Sequence, residues 1–259
     1  MISFLHKQKK TLLICASILC GVCLVFSAPP TTALVSSMVS ATQTRQLPIY
    51  CVDTPKKQIS ISFDAAWGAD DTDELLRILE ENNVKTTFFL CGYWVEDYPE
   101  EVQKIADAGH DLGNHSATHP HMNQLSAEQI AAELASCHAS VKEITGIDMD
   151  LFRPPFGEYN DTVISTVYAE GYYPIQWDVD SLDWKEYGVE SEINQVLNHE
   201  HLGNGSIILF HNDAQYTPAA LDTIIKGLQA DGYEIVPLSE LIHRDDFKMD
   251  HEGRQILNS

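Results

Sequence analysis

The sequence predicts an α/β protein built as a distorted (β/α) barrel with about seven parallel strands. Three observations predict it. From residue 58 onward, short β-branched and aromatic runs alternate with longer amphipathic segments, the pattern of strands laid parallel with helices outside them. About seven such units fit into roughly 190 residues, which favours an incomplete or distorted barrel over an open doubly wound sheet. No glycine-rich dinucleotide fingerprint follows the first strand.

The elements follow in order. "QISISF" (58–63) is the first strand, and Asp70–Asn82 a helix with "DDT" at its cap. "KTTFFL" (85–90) is a second strand, 96–108 a helix and "HDLGNH" (110–115) a short third strand. The stretch 126–146 is the clearest helix: Ser126 and Gln129 fit a capping box, and Gly146 supplies a C-terminal stop. "LFRPPFG" (151–157) is strand and loop, 160–170 a helix and "YYPIQWDV" (172–179) a strand. A helix at 189–200, the strand "GSIILF" (205–210), a helix at 218–231 and "YEIVPL" (233–238) complete the domain, taken as 58–245 with a tail at 246–259.

The N-terminus differs in kind. Lys7, Lys9 and Lys10 precede an uncharged run at 11–28, so residues 1–28 read as a signal peptide or an N-terminal membrane anchor and predict export to the cell-wall side. Residues 29–57, rich in Pro, Thr and Ser, read as a linker or stalk. Cys51, Cys91 and Cys137 lie outside the apolar run, an odd number at spacings that match no metal ribbon, so at most one pair can form. A formal charge of −22 argues against nucleic acid as a partner. Membrane contact is expected through the N-terminal run alone, and nothing in the sequence specifies an oligomeric state.

Polar residues gather at the ends of these strands: Asp64, then His115 and His119, Arg153, Asp180 and Asp183, and His211. In a barrel of this class that rim carries the chemistry. His115 and His119 are four apart, so on one helical turn both imidazoles reach a single ion, with Pro120 ending the turn. Two histidines with waters make an open, hydrolytic metal site. Arg153, ahead of a rigid Pro-Pro turn, can hold Asp64 ionised. An aspartate of "WDVDSLDW" (177–184) can orient a histidine, and its indoles serve equally as a sugar wall or as core. His211, directly after an apolar strand, reads as a general acid.

Together "SFDAAWG", "HSATH", "RPPFG", "DSLDW" and "LFH" (209–211) resemble, in chain order over about 59–242, the motifs of the NodB-type polysaccharide deacetylases, carbohydrate esterase family 4. The resemblance implies a NodB homology domain and metal-dependent hydrolysis of N-acetyl groups on an N-acetylglucosamine-containing glycan such as peptidoglycan. The implied cofactor is a divalent ion, zinc or a similar metal. Carried over, Asp64 matches the base, His115 and His119 the metal ligands, and Arg153 the residue that steadies the base. Asp183 tunes His211, the general acid; Trp184 lines the site, and the Phe156 backbone N–H falls at the oxyanion donor.

One position departs from the family pattern. Ala65 stands where a second aspartate is the usual third metal ligand, leaving Asp70, Asp71 or water to fill that role. Two alternatives follow: a catalytically weakened domain that binds cell-wall glycan, and an amidohydrolase acting on another N-acyl substrate.

Overall fold

The computed structural model describes residues 45–258. The expected signal or anchor at 1–28 and most of the linker expected at 29–57 lie outside the described residues. Among the described residues no helix is long and apolar enough to cross a membrane.

Strands and helices alternate as the periodicity predicts. After β1 (Cys51–Val52) come β2 (Gln58–Ala65), α1 (Thr72–Glu81), β3 (Thr87–Leu90), α2 (Gly92–Asp97), α3 (Pro99–Asp107) and β4 (Asp111–Asn114). Then follow α4 (Ala127–Thr145), β5 (Leu151–Phe152), α5 (Asp161–Ala169), β6 (Tyr173–Pro174) and β7 (Val179–Asp180). The last elements are α6 (Val189–Leu197), β8 (Ile207–His211), α7 (Thr217–Ala230), β9 (Glu234–Ile235), α8 (Leu238–Leu241), β10 (Phe247–Met249) and β11 (Arg254–Leu257). The capping box of α4 is present, Ser126 and Gln129 each accepting the other's backbone N–H, and Gly146 closes the helix at φ 74. The helix expected over 96–108 is broken by Pro99 into α2 and α3, because proline suits a first helical turn and not an interior. The strand expected over 172–179 is two short strands, β6 and β7, separated by residues 175–178.

The main sheet runs β6-β5-β4-β3-β2-β8-β7 with β9 beside the start of β2, and every pairing in it is parallel. This is the distorted (β/α) barrel. Side-chain alternation along β2 sorts its residues by face. Ile59, Ile61 and Phe63 are fully buried in the layer shared with Leu75, Leu79, Leu221 and Ile225 of α1 and α7. The opposite face carries Ser60, Ser62 and Asp64. On the inner side, Phe89, Leu151, Ile175 and Ile207 form a second apolar cluster with Leu238 and Leu241 of α8.

Both ends of the domain are longer than expected. Ile49 and Val52, placed by the sequence reading in a linker, are 0% exposed, and residue 49 bridges to Ile175 beside β6. Residues 246–259, expected as a tail, supply β10 and β11, which with β1 make a second sheet in the order β1-β11-β10. Burial of these apolar side chains outweighs the polar composition around them. Cys51, Cys91 and Cys137 are all buried and free.

Candidate active site

Register brings the polar strand ends together. In β2, Asp64 lies opposite His211 of β8, so neighbouring parallel strands present both residues at the same level. In β4 and β5, Asn114 pairs with Phe152, and the residue after each, His115 and Arg153, leaves the sheet at the same rim. His115 and Arg153 then bond to each other, the ring Nδ1 lying 2.8 Å from the Arg153 carbonyl. A carbonyl only accepts, so Nδ1 carries the proton and Nε2 is bare, 3.6 Å from Asp64 Oδ2.

Arg153 is fully buried, and each end of its guanidinium is occupied. Nη1 donates to Asp64 Oδ1 at 2.7 Å, while Nη2 donates to the Ser62 hydroxyl at 2.8 Å and the Gln176 carbonyl at 3.2 Å. The plane sits 4.2 Å from the Phe89 ring centroid. Burial pulls the Asp64 carboxyl upward, yet the Arg153 charge, with that of His211 and the Arg153 hydrogen bond, outweighs it, leaving its pKa below the usual carboxylate value.

The second dyad is His211 with Asp183. Asp183 Oδ1 accepts from His211 Nδ1 at 2.8 Å and from the Trp184 N–H at 2.8 Å. Its Oδ2 accepts the His211 backbone N–H at 2.6 Å and the Thr217 hydroxyl at 3.3 Å. Burial disfavours a charged His211 ring, but the bond to Asp183 and its charge prevail and raise the pKa. The indole of Trp67 stacks on this ring, centroids 4.8 Å apart and planes 12° from parallel.

His115 and His119 meet with ring centroids 4.9 Å apart, as the four-residue spacing predicts, but not on a helical turn. Ser116 and His119 take φ 68 and 54, and the loop is pinned by Ser116 N–H to Asn114 Oδ1 and by His119 N–H to the Ser116 hydroxyl. Burial, with the neighbouring His115, pushes the His119 pKa down to about 4. His119 meets the Phe156 ring edge-on at 4.5 Å, and His121 stacks on the same ring at 4.6 Å while its Nδ1 lies 2.9 Å from Glu158. Phe156 itself holds φ 58 in the 3-10 turn after Arg153.

These side chains surround a cavity of about 430 Å³. Asp64, His115, His119 and His211 line it on the polar side; Trp67, Phe156, Trp177 and Trp184 form the aromatic walls, and Asp180 stands at the end of β7. A larger cavity of about 620 Å³ near Arg45 and Tyr168 gathers none of these groups. Six of the eight expected site residues line the cavity. The other two, Arg153 and Asp183, lie behind it and hold Asp64 and His211. Trp67 and Ser62 were not singled out from sequence; the tryptophan three positions after Asp64 was the available signal.

The loop acids expected to replace the missing ligand do not. Asp71 precedes α1, and its Oδ2 accepts the backbone N–H of Asp213 at 2.7 Å; neither Asp70 nor Asp71 lines the cavity. Loop 66–71 is committed elsewhere, since Gly68 N–H donates to Asp213 at 3.1 Å and Trp94 Nε1 donates to the Gly68 carbonyl at 2.9 Å. A catalytic zinc takes three protein ligands. Among the described residues no group of three or more His, Cys, Asp or Glu is arranged to hold a metal. The bare Nε2 of His115 and the ring of His119 thus supply two donors, which do not fit a resident three-ligand ion.

Comparison with known proteins places the chain. The polysaccharide deacetylase family model matches residues 52–175. The peptidoglycan-N-acetylmuramic acid deacetylase PdaA of Bacillus subtilis is 31% identical over 77% of this chain and 77% of its own. A peptidoglycan-N-acetylglucosamine deacetylase of Bacillus cereus is 30% identical over 72% of this chain and 68% of its own. Among solved structures, a carbohydrate esterase family 4 pseudoenzyme from Bacillus anthracis superposes with a TM-score of 0.73 at 31% identity, covering 82% of this chain and 73% of that one. A mutant of that pseudoenzyme, described as having restored enzymatic activity, is 32% identical with a TM-score of 0.72, over 80% of this chain and 72% of its own. The chain belongs to the polysaccharide deacetylase family of hydrolases, carbohydrate esterase family 4.

Proposed function

We propose that this chain removes N-acetyl groups from N-acetylglucosamine units of peptidoglycan, on the outer side of the membrane. The observation that carries this reading is the pair of dyads, Asp64–Arg153 and His211–Asp183, set side by side by the β2–β8 register.

Asp64, held as a carboxylate by Arg153, takes the proton from a water that attacks the amide carbonyl carbon. The Phe156 N–H donates to the oxygen as it becomes negative, a single such donor being worth roughly 3 kcal/mol. His211, whose Nδ1–H is fixed on Asp183, gives the proton on Nε2 to the departing nitrogen as the C–N bond breaks. Acetate and the sugar amine result. Trp67 and Trp184 flank the sugar. A divalent ion such as zinc would add polarisation of the carbonyl and activation of the water, but with two donors present no step above runs through it.

Acetate release from N-acetylglucosamine oligomers and purified peptidoglycan, followed by mass with chelator or with added zinc, tests this. Release without metal supports the residue-based route, and release only with metal assigns a loosely held ion to His115 and His119. No acetate under any condition overturns the reading.

Two observations favour a second reading. Ala65 removes the third ligand, and the chain superposes closely on a pseudoenzyme of its own family. In that case the domain binds cell-wall glycan without turning it over.

A further inference from the structure

We propose that Asp180 is a specificity-determining residue of this cavity, its carboxylate Oδ2 taking a hydrogen-bond donor carried by the bound sugar. The proposal rests on the glycan reading above.

Asp180 is held rigidly. It ends β7 in register with Leu209 of β8, and Gln195 Nε2 from α6 donates to its carbonyl at 3.1 Å. Its Oδ1 accepts the Leu182 N–H at 2.9 Å, closing a turn in which Leu182 takes φ 57. Asp180 lines the cavity, and its Oδ2 makes no hydrogen bond or ion pair among the described residues. A local turn needs one carboxylate oxygen. The other is left as a free acceptor on a residue that lines the same cavity as Trp177, Trp184 and Leu209.

The rest of the cavity says what that acceptor takes. No lysine or arginine lines it, and the nearest guanidinium, Arg153, is fully buried against Asp64, Ser62 and Gln176. Asp64 is balanced by Arg153 and the His211 ring by Asp183, so Asp180 is the unbalanced carboxylate of the lining, which favours a neutral or cationic sugar and disfavours one that carries its own carboxylate. The chemistry is that of a sugar hydroxyl or of the ammonium left by deacetylation, both strong donors to a carboxylate.

Asp180→Asn separates this role from the turn. The amide oxygen still accepts from Leu182 N–H, while Oδ2 becomes an N–H₂ donor. Binding of the N-acetylglucosamine tetramer and of the glucosamine tetramer to the full chain is followed by fluorescence of Trp67, Trp177 and Trp184. We expect Asp180→Asn to weaken binding about tenfold with an unchanged unfolding midpoint. Equal losses for both tetramers identify a hydroxyl; a loss confined to the glucosamine tetramer that shrinks with salt identifies the ammonium.

Parental affinity of Asp180→Asn for both tetramers overturns the proposal, whether or not Asp180→Ala binds less. So does a parent chain that binds neither. A parent that binds and loses affinity on substitution but releases no acetate removes the deacetylase reading and leaves this one standing. Acetate release with unaltered Asp180→Asn affinity does the reverse.

Discussion

Asp183 holds His211 at two points, its Oδ2 on the backbone N–H at 2.6 Å and its Oδ1 on ring Nδ1 at 2.8 Å. Ring orientation and strand end are thus fixed by one side chain, the arrangement by which a carboxylate selects the tautomer of a proton donor.

Asp183→Asn keeps the shape and removes the charge. Acetate release should fall by about 10² or more, because the ring loses the partner that raises its pKa. The alkaline limb of the residual activity, set by loss of the His211 proton, should move to lower pH. A variant with parental rate and profile would remove His211 from the proposed route.

Arg153→Met leaves Asp64 buried without its partner. Breaking a buried pair from one side costs about 3–5 kcal/mol, read as a lower urea midpoint. Adding Asp64→Asn to the same chain should recover part of that loss. Without recovery, the cost lies in packing against Phe89 rather than in the uncompensated charge.

Ala65→Asp supplies the carboxylate that the loop acids do not. Zinc affinity, measured by competition with a chelator, should rise by 10²-fold or more, and acetate release should rise with it. Ala65 is 0% exposed, so the gain comes with a stability cost visible in the unfolding midpoint. Unchanged zinc affinity would mean that His115 and His119 are not donors to the ion.

Glu192, 5% exposed and with Oε1 unpartnered, has its carboxyl pushed up to about 7 by burial, with Asp183 adding to the shift. A carboxyl raised on folding is neutral in the folded chain where the unfolded chain is already ionised. Its stabilising contribution is therefore complete below about pH 4 and is lost as pH rises to about 7. Relative to Glu192→Gln, which does not titrate, the parent should lose stability between about pH 4 and 7 and level off above it. Parallel urea midpoints of the two chains across that range would contradict the assignment.

The barrel and most of the site were legible because periodicity and strand ends speak directly through residue type. Ser60, Ser62 and Asp64 alternate with Ile59, Ile61 and Phe63, and the same alternation that marks a strand aims the acid at the rim. The destination of Asp71 was not legible: sequence distance from Asp64 permits a ligand, but the bond to Asp213, 142 residues away, takes it elsewhere. The edges failed for the same reason. Nothing local in "IYCV" or "RQIL" announces a strand, since the partners are distant: Cys51 and Val52 meet Arg254 and Gln255, and the Val52 N–H reaches the Gly205 carbonyl.

That last pairing has a consequence in time. Cys51 and Val52 lie beside Arg254 and Gln255 on one side, while the Val52 N–H donates to the Gly205 carbonyl at 2.9 Å on the other, so the last strand completes a pairing that the rest of the domain has begun. As the chain emerges in order, Ile49 and Val52 can pack against Phe89, Leu151, Ile175 and Ile207 before β10 and β11 exist. Closure of the small sheet is then the final act of folding, and a chain interrupted at residue 246 would leave it undone.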